Sequence, residues 1–355
     1  NISVSPGSTT TYTLVSVSNN NCAGTIGGQA TINVTPLPTA VLSGTTAICS
    51  GGNTNLSIDF TGVAPYTYSY TNGTNIFGPF TTSNDPVLVN VAPGGTTTYS
   101  LTPTVTGAGC LGNTNAASAT VTVNSLPTAA ITGTNTICNG TSTNLNINFI
   151  GTAPYTYSYS NGVTTFGPFT TSSNPATVPV SPSVSTTYNL ITINDANCSG
   201  SVQGAASITV NALPTAVVSG TTSICDGTNT NLSMQFTGTG PYTYSYSDGT
   251  TVFGPFTTNN NPALINVAPT STTTYSVATV SDANCAGSGS GTAAITVIPL
   301  PTATISGTTA ICRGSSTNLL INFTGVAPFE YKYSDGSTIY GPFTTSNMSA
   351  NVSVS

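Results

Sequence analysis

One phrase recurs along this chain at nearly equal intervals. The motif LPTA has its proline at four positions, and successive copies lie 89, 87 and 87 residues apart: Pro38, Pro127, Pro214 and Pro301. A second motif, PYTYSY, recurs at nearly the same spacing and has the variant PFEYKY in its last copy. Its copies begin at Pro65, Pro154, Pro241 and Pro328. A period near 88 residues is too long for a solenoid repeat and fits one small independent domain. The sequence therefore predicts a row of similar domains.

Within the repeat at 37–125, apolar and polar residues alternate with a period of two. Leu56, Ile58 and Phe60 fall on one face of a predicted strand, and the tyrosines of PYTYSY do so on the next. About seven such stretches are separated by turn signals, and none has helical periodicity. The following FGPF segment is interpreted as a bend, because glycine and proline interrupt a strand ladder. This pattern is typical of an immunoglobulin-like β-sandwich, so the predicted fold is all-β, with such sandwiches in a linear array.

The repeats divide the chain into five segments. Residues 1–36 are the C-terminal part of a repeat, 37–125, 126–212 and 213–299 are complete repeats, and 300–355 are the N-terminal part of another. The two ends overlap, because Asn1 aligns with Leu88 and Ser355 with Ala92. Two interpretations follow: the chain is a segment of a longer array, or each subunit completes its neighbour's sandwich by donor-strand exchange. Both predict a fibre, formed by self-association or by further copies of the repeat.

The chain carries very few charges and no histidine. Charged residues make up 3% of the sequence, the net charge is −6, and the two cations are Arg313 and Lys332. Without a basic patch, nucleic acid is a poor partner, and no apolar run predicts membrane insertion. The missing histidine excludes Ser-His-Asp sets and histidine-containing metal sites. The sequence therefore predicts no enzymatic activity, no catalytic residue, no cofactor and no metal site.

Two acidic residues, Asp195 and Asp282, each precede a cysteine by three positions. Carboxylate oxygens bind calcium, but one carboxylate per loop is too few for a good site. Aspartate is also common in turns, where its side chain accepts hydrogen bonds from nearby backbone amides. These residues are therefore interpreted as turn formers.

A tyrosine opens the predicted sixth strand of each repeat, within the phrase TTY: Tyr12, Tyr99, Tyr188 and Tyr275. This is the position of a tyrosine corner, in which the tyrosine hydroxyl forms a hydrogen bond with the backbone at a turn. The alternative is an ordinary half-buried strand tyrosine. The PYTYSY tyrosines are interpreted as core rather than as a sugar-binding platform, because the charged Glu330 and Lys332 alternate with the aromatic residues in the last copy.

Eight cysteines occupy two fixed positions of the repeat. The first set lies between the predicted first and second strands: Cys49, Cys138, Cys225 and Cys312. The second set follows the sixth strand: Cys22, Cys110, Cys198 and Cys285. This regularity without histidine predicts disulfides and an oxidising environment.

Two pairings of these cysteines are open. The preferred one lies within a repeat, as Cys49–Cys110, Cys138–Cys198 and Cys225–Cys285, and leaves Cys22 and Cys312 to pair outside the chain. The alternative joins the facing loops of successive repeats, as Cys49–Cys198 and Cys138–Cys285. It is favoured by the expectation that the two loops lie at opposite ends of a simple seven-stranded sandwich, out of bonding distance.

The linkers between repeats are short and contain proline. In the sequence Asn124-Ser125-Leu126-Pro127, the proline restricts its own backbone and favours an extended residue before it. Such a linker restricts motion between neighbouring domains. The sequence predicts a semi-rigid rod.

These features together resemble a known group, the immunoglobulin-like repeats of very large secreted surface proteins of Bacteroidota, which include gliding-adhesin-like filament proteins. The matching residues are ISGTTAIC at 305–312, the TTTY strand start at 96–99, the Asn197-Cys198 loop and a closing strand such as Ala294–Val297. The resemblance covers the whole chain. It implies a stalk or filament on the cell surface, exported by a dedicated secretion system, and it supplies no catalytic residue.

The favoured function is a structural repeat segment of an extracellular filament or adhesin stalk on a bacterial surface. The alternatives are glycan- or protein-binding modules that mediate adhesion, and a subunit of a donor-strand-exchanged fibre. Near-identity of the loops after the third strand, such as Asn72-Gly73 and Asn161-Gly162, favours the stalk, because spacers need only fold and link.

Overall fold

The computed structural model describes all 355 residues and contains strands without any helix. The bounds of the strands are as follows. Residues 1–36 contain β1 (Thr10–Thr13) and β2 (Gln29–Ile32). Residues 37–125 contain β3 (Thr39–Ser43), β4 (Thr46–Cys49), β5 (Thr54–Thr61), β6 (Tyr66–Thr71), β7 (Ile76–Thr82), β8 (Val87–Val91), β9 (Thr97–Leu101), β10 (Thr104–Gly107), β11 (Cys110–Thr114) and β12 (Ser118–Asn124).

The strands continue through the rest of the chain in the same order. Residues 126–212 contain β13 (Thr128–Thr132), β14 (Asn135–Cys138), β15 (Thr143–Ile150), β16 (Tyr155–Ser160), β17 (Thr165–Thr171), β18 (Ala176–Val180), β19 (Thr186–Asn194), β20 (Ser201–Gln203) and β21 (Ala205–Asn211). Residues 213–299 contain β22 (Thr215–Ser219), β23 (Thr222–Cys225), β24 (Thr230–Phe236), β25 (Tyr242–Ser247), β26 (Val252–Thr258), β27 (Ala263–Val267), β28 (Thr273–Ser281), β29 (Ser288–Ser290) and β30 (Thr292–Ile298). Residues 300–355 contain β31 (Thr302–Ser306), β32 (Thr317–Thr324), β33 (Phe329–Ser334), β34 (Ile339–Thr345) and β35 (Ser349–Val354).

The chain forms two compact units. The first comprises residues 1–134, 144–179 and 187–207, and the second comprises residues 135–143, 180–186 and 208–355. None of the segments forms a helix that is long and apolar enough to cross a bilayer.

In the second unit, the strands of residues 213–299 form two sheets around one core. Their orders are β27-β24-β22-β29 and β23-β30-β28-β25-β26. The alternation along β24 points Leu232 and Met234 inward, where both are fully buried, and leaves Ser233 between them more exposed. From the other sheet Tyr244 and Ile295 close the same core. Two packed sheets of this kind confirm the predicted all-β, immunoglobulin-like sandwich.

In the first unit, residues 37–125 form an equivalent core from Leu56, Ile58, Phe60 and the three tyrosines of β6. Here the hairpin β10–β11 pairs with β6 on one side and with β3 on the other, so its strands join one continuous sheet. In the repeat that follows, β13 pairs with β15 and β20, and β16 pairs with β17 and β19.

Two details differ from the sequence prediction. The FGPF segment does not end the ladder, since it lies within β7, which pairs with β6 along its length apart from a register shift between Tyr68 and Tyr70. Gly78, with a φ of 114°, adopts the backbone that this irregularity needs. The repeat at 213–299 also has nine strands rather than about seven, because the short strands β23 and β29 each add one parallel pair, to β30 and β22 respectively.

One position next to the core recurs in the three complete repeats, and a comparison of its residues predicts a stabilising substitution. The side chains of Asn174 and Asn261 each accept from the amide of a core phenylalanine and donate to its carbonyl, whereas Asp85 accepts from the Phe60 amide at 2.9 Å and has no N–H to donate. We expect Asp85→Asn to stabilise its sandwich by about 1 kcal/mol, because it adds the missing bond to the Phe60 carbonyl. Urea unfolding of the full chain measures the effect, and Asn261→Asp, the reverse change, should destabilise. Equal midpoints for both variants and the wild type would contradict the prediction.

Candidate functional sites at the joints between repeats

The joint between the repeats at 37–125 and 126–212 is a segment of three residues, from the end of β12 at Asn124 to the start of β13 at Thr128. On its first side, β4 runs parallel to β12 and places Cys49 opposite Asn124. The amide of Ser50 donates to the Asn124 carbonyl at 2.8 Å. The last strand of one repeat therefore ends beside Cys49.

On its second side, the joint contacts the loop that carries Cys198. The amide of Ser201 donates to the Pro127 carbonyl at 3.1 Å, and β20 pairs in parallel with β13 from that point. Cys198 is bonded to Cys49, with their Cα atoms 5.8 Å apart. The disulfide therefore spans the joint, because each cysteine belongs to a loop that contacts a different end of the linker.

The joint between residues 211 and 215 has the same construction. Asn139 donates to the Asn211 carbonyl at 2.9 Å, and Ser288 donates to the Pro214 carbonyl at 3.2 Å. Cys138 and Cys285, next to these contacts, form the second disulfide with a Cα–Cα distance of 5.9 Å. Each of the two joints thus has a proline linker, two backbone contacts and one covalent bridge.

The preferred pairing within a repeat is therefore wrong, and the alternative between successive repeats is the one present. The cause is that the two cysteine loops of one repeat lie at its opposite ends. Cys49 lies beside Asn124, where the last strand ends, whereas the loop of Cys110 contacts Pro38, just before the first strand. Cys22, Cys110, Cys225 and Cys312 are free thiols in this chain. That Cys22 and Cys312 pair outside it remains a prediction.

A glycine two residues after the cysteine makes the contact with the linker possible, and the sequence analysis missed it. At Gly200 and Gly287, an added Cβ would lie 1.8 Å from the carbonyl oxygen of Pro127 and Pro214, respectively. Gly112 has the same relation to Pro38, at 1.9 Å. The signal was the recurrence of Cys-x-Gly in step with LPTA, since a glycine kept in register with a proline indicates close backbone approach.

Aspartates shape the loops of the bonded cysteines. One oxygen of Asp195 accepts from the amides of Asn197 at 2.8 Å and Cys198 at 2.7 Å, and the other accepts from Thr152 at 2.9 Å. Asp282 makes the same three bonds. Partial desolvation opposes ionisation of both carboxyls, but the amide donors outweigh it and hold the pKa of each below its usual value. These residues form turns, as predicted, and no group of three or more His, Cys, Asp or Glu side chains is placed to hold a metal ion.

These carboxylates predict an acid-sensitive joint. Because the pKa of Asp195 and Asp282 is lowered in the folded chain, their contribution to stability is complete above the unfolded pKa of about 4 and is lost as the pH falls through the folded value. We expect the melting temperature to drop below about pH 4, and the double variant Asp195→Asn, Asp282→Asn to drop less steeply. Thermal unfolding between about pH 2 and 6 measures this. Asp59→Asn, which removes an exposed carboxylate elsewhere in the chain, is the matched control for the loss of a negative charge.

The tyrosines form the aromatic part of the core. Those of PYTYSY are 5 to 8% exposed in the three complete repeats, which confirms the core interpretation. Tyr99, Tyr188 and Tyr275 are also buried, each with its ring 6.1 to 6.3 Å from the last tyrosine of PYTYSY, whereas Tyr12 is 38% exposed. The tyrosine-to-backbone hydrogen bond of the repeat comes instead from the first PYTYSY tyrosine, as from Tyr66 to Gly62 at 3.2 Å. The predicted corner bond is therefore not found at Tyr12, Tyr99, Tyr188 or Tyr275.

A recess recurs beside these tyrosines. In one repeat it is lined by Tyr246, Phe253, Pro269 and Tyr275, and in another by their equivalents Tyr70, Phe77, Pro93 and Tyr99. Its walls combine aromatic faces with threonine and asparagine side chains.

Comparison with known proteins gives structural likeness alone. No protein-family model matches the chain, and no curated protein is similar to it in sequence. Among solved structures, the I-band fragment I67–I69 from titin is 14% identical, with 76% of this chain and 100% of that chain covered and a TM-score of 0.48. The extracellular domains 3–5 of Drosophila OTK are 11% identical, with 72% and 94% covered and a TM-score of 0.29. The N-terminal eight Ig domains of DSCAM are 13% identical, with 88% and 48% covered and a TM-score of 0.23.

Proposed function

We propose that this chain is a structural segment of an extracellular filament or adhesin stalk on a bacterial surface, built from immunoglobulin-like repeats. The observation that carries the proposal is that each joint joining two complete repeats is bridged by a disulfide. A chain that transmits tension from one sandwich to the next does so through its linker, where three residues form no strand pairs. A bridge in parallel with the linker limits how far two neighbouring sandwiches can separate under tension, which supports a stalk over a set of independently moving binding modules.

The chemistry of the chain supports the same location. Disulfides persist in oxidising compartments, so the two bridges support a location outside the cytoplasm. With 3% charged residues, little electrostatic repulsion keeps neighbouring chains apart, so lateral self-association into a fibre fits the surface. The Bacteroidota-like repeats that the sequence resembles serve as stalks of this kind.

Labelling of intact cells tests the proposal. Antibodies raised against the purified chain are expected to decorate filaments on the surface of unpermeabilised producing cells, and external protease should remove the signal. A cytoplasmic antibody target in the same cells is the control and should be labelled after permeabilisation alone. If the chain, like the cytoplasmic control, is labelled only after permeabilisation, the surface role is ruled out.

A second candidate function, recognition of a glycan, is favoured by the recurring aromatic recess. Aromatic rings stack on sugar faces, and a repeated site would gain avidity along an array. Retention of the chain on a glycan array, lost in Phe253→Ala together with Phe77→Ala, would support it. Absence of retention on all glycans would leave the stalk as the sole proposal.

A further inference from the structure

The aromatic recess of the repeat at 213–299 differs by one charge from its counterpart in the repeat at 37–125. Its aromatic residues and its proline all have identical counterparts 176 positions earlier, as Tyr246 has in Tyr70 and Tyr275 in Tyr99. In the same register, Asp248 lines one recess and Asn72 lines the other. The volumes are similar, at about 440 and 390 Å³. Nearly the same recess therefore occurs once with a carboxylate and once with a neutral amide.

One oxygen of Asp248 is used by the turn that follows it, and the other is open. Oδ1 accepts from the Thr250 amide at 2.9 Å, from the Thr250 hydroxyl at 2.8 Å and from the Thr251 amide at 2.7 Å. These donors, the Thr251 amide above all, hold the pKa of Asp248 below its usual value, so the carboxyl is ionised at neutral pH. Oδ2 receives no bond from these donors and is free to bind another group.

The hairpin β33–β34 shows where this second oxygen points. Asp335 is the equivalent of Asp248, and its Oδ1 accepts three bonds of the same kind from Ser337 and Thr338. Its Oδ2 accepts from the Tyr340 hydroxyl at 3.0 Å. Tyr340 is the equivalent of Phe253, which has no hydroxyl. Oδ2 of Asp248 therefore faces the end of the Phe253 ring, which lines the recess, and is open to a donor from a ligand.

Two further acceptors come from tyrosines whose rings are buried. Tyr246 and Tyr275 are 8% and 6% exposed, yet neither hydroxyl is held by a hydrogen bond, unlike that of Tyr242, which donates to the Gly238 carbonyl at 3.1 Å. Because no buried side-chain oxygen lacks a partner, both hydroxyls must reach the surface, and the recess that both tyrosines line is their opening.

The same two hydroxyls lie within the field of the carboxylate. Burial raises the pKa of Tyr246 and Tyr275, and the negative charge of Asp248 raises each of them further. An ionised oxygen and two hydroxyl oxygens thus converge on one recess.

This set of acceptors matches a primary ammonium group. Such a group has three N–H donors and no acceptor, and its hydrogen bond to a carboxylate is about twice as strong as a bond between neutral groups. Phe253 and Pro269 provide apolar surface for an alkyl stem beside it. A metal ion fits less well, because the recess has one carboxylate and no group of three His, Cys, Asp or Glu side chains.

We propose that this recess binds an organic ligand through a primary ammonium group, which donates to Asp248 Oδ2 and to the two tyrosine hydroxyls. A volume of about 440 Å³ is in the range of small-molecule sites. The inference goes beyond the proposed function, since a spacer domain can carry such a site on its side. It also differs from recognition of a neutral sugar, which would use the aromatic walls that both recesses share and would not distinguish Asp248 from Asn72.

Titration of the full oxidised chain with n-butylammonium chloride tests the site. In amide spectra of the deuterated, ¹⁵N-labelled chain, the resonances of Thr250 and Thr251 should shift saturably, because both amides donate to Asp248. Those of Thr74 and Asn75, at the equivalent positions beside Asn72, should stay in place. Sodium chloride at equal ionic strength and n-butanol, which has the same stem without the charge, are the controls. Equal shifts in both recesses, or no saturable shift at Thr250 and Thr251, would overturn the inference.

A second cation tests the class of ligand. Tetramethylammonium has the same charge but no N–H to donate, so it should bind at least about tenfold more weakly than n-butylammonium. Equal binding of the two cations would overturn the assignment to a primary ammonium group.

Exchanging the two residues that differ between the recesses tests the role of the charge. Asp248→Asn should weaken n-butylammonium binding at least about tenfold. The turn should persist, because Asn72 makes it with bonds of 3.0 Å from Thr74 and 2.7 Å from Asn75. Asn72→Asp should create a second site, with saturable shifts at Thr74 and Asn75.

Asp226→Asn is the matched control, because it removes the same charge from an exposed position outside the recess, and it should bind like the wild type. Unchanged binding in Asp248→Asn, or no new site in Asn72→Asp, would overturn the inference. Neither result would alter the labelling of filaments on intact cells, which tests the stalk function separately.

Discussion

Replacing Gly287 with alanine is expected to destabilise the repeat at 213–299 by about 3 kcal/mol or more. The added Cβ would lie 1.8 Å from the Pro214 carbonyl oxygen, and this atom belongs to the backbone and cannot move aside by a side-chain rotation. Overpacking of a core commonly costs about 1–3 kcal/mol, and a clash between backbones belongs at the upper end of this range. For a domain of this size the melting temperature should fall by more than about 12 °C.

Calorimetry of the full oxidised chain measures this effect, and non-reducing peptide mapping measures a second one. Because the glycine lets the Cys285 loop approach the linker, the fraction of Cys138–Cys285 disulfide should also fall. Gly240→Ala is the matched control, since other repeats have alanine at the equivalent positions Ala64 and Ala153, and it should be close to neutral. Similar melting curves for both variants would show that the close approach of loop and linker is not needed.

The sequence predicted the sandwich because its signals are local. Strict alternation such as Leu56, Ile58 and Phe60 fixes which face of a strand is buried, and it is visible in any one repeat. The parallel strands β23 and β29 were missed for the same reason. Each is three or four residues long and pairs with a strand far away in the sequence, as Thr222 does with Ile295. No local sequence pattern therefore predicts either strand.

The disulfide pairing depended on information that no single repeat contains. Equal spacing of about 60 residues within a repeat suggested a closed bridge, but distance in space decides bonding. The contact of Gly200 with Pro127 shows where the Cys198 loop lies, and it follows from backbone approach rather than from any apolar pattern. The recurrence of Cys-x-Gly beside LPTA could have favoured the correct alternative.

The tyrosines show a further limit. The sequence placed a hydroxyl-to-backbone bond on the tyrosine that opens the sixth strand, but the bond belongs to Tyr66, whose ring stacks on Phe60 at 4.5 Å. Both tyrosines are buried, and both have an alternating pattern around them. Which hydroxyl reaches a carbonyl depends on a loop turn at Gly62, and this is decided by tertiary packing.

The two disulfides are expected to limit extension of the chain under force in a way that neither achieves alone. They join Cys49 to Cys198 and Cys138 to Cys285, so the bonded loops overlap. Three chain segments, of 89, 60 and 87 residues, then connect the same two bridges in parallel. The unfolded distance from Cys49 to Cys285 is set by the shortest of them.

Pulling single oxidised chains from both ends measures this limit. Full reduction replaces the 60-residue path by the direct path of 236 residues, and the final length should grow by about 600 Å. The double variant Cys138→Ser, Cys285→Ser leaves a path of 87 residues, so it should lengthen the oxidised chain by only about 90 Å. Loss of the other bridge, between Cys49 and Cys198, should lengthen the oxidised chain by a similar amount.

This non-additivity separates the overlapping bridges from any pairing within a repeat. Independent loops of about 60 residues would each release about 200 Å, and removing two of them would release the sum. Cys225→Ser, at a free thiol outside both loops, is the control and should leave the length unchanged. Because the remaining bridge still shortens the path between Cys49 and Cys285, a stalk built in this way gains only about 90 Å when one bond is reduced. If the increments of the two double variants added up to the increment on full reduction, this arrangement would be contradicted.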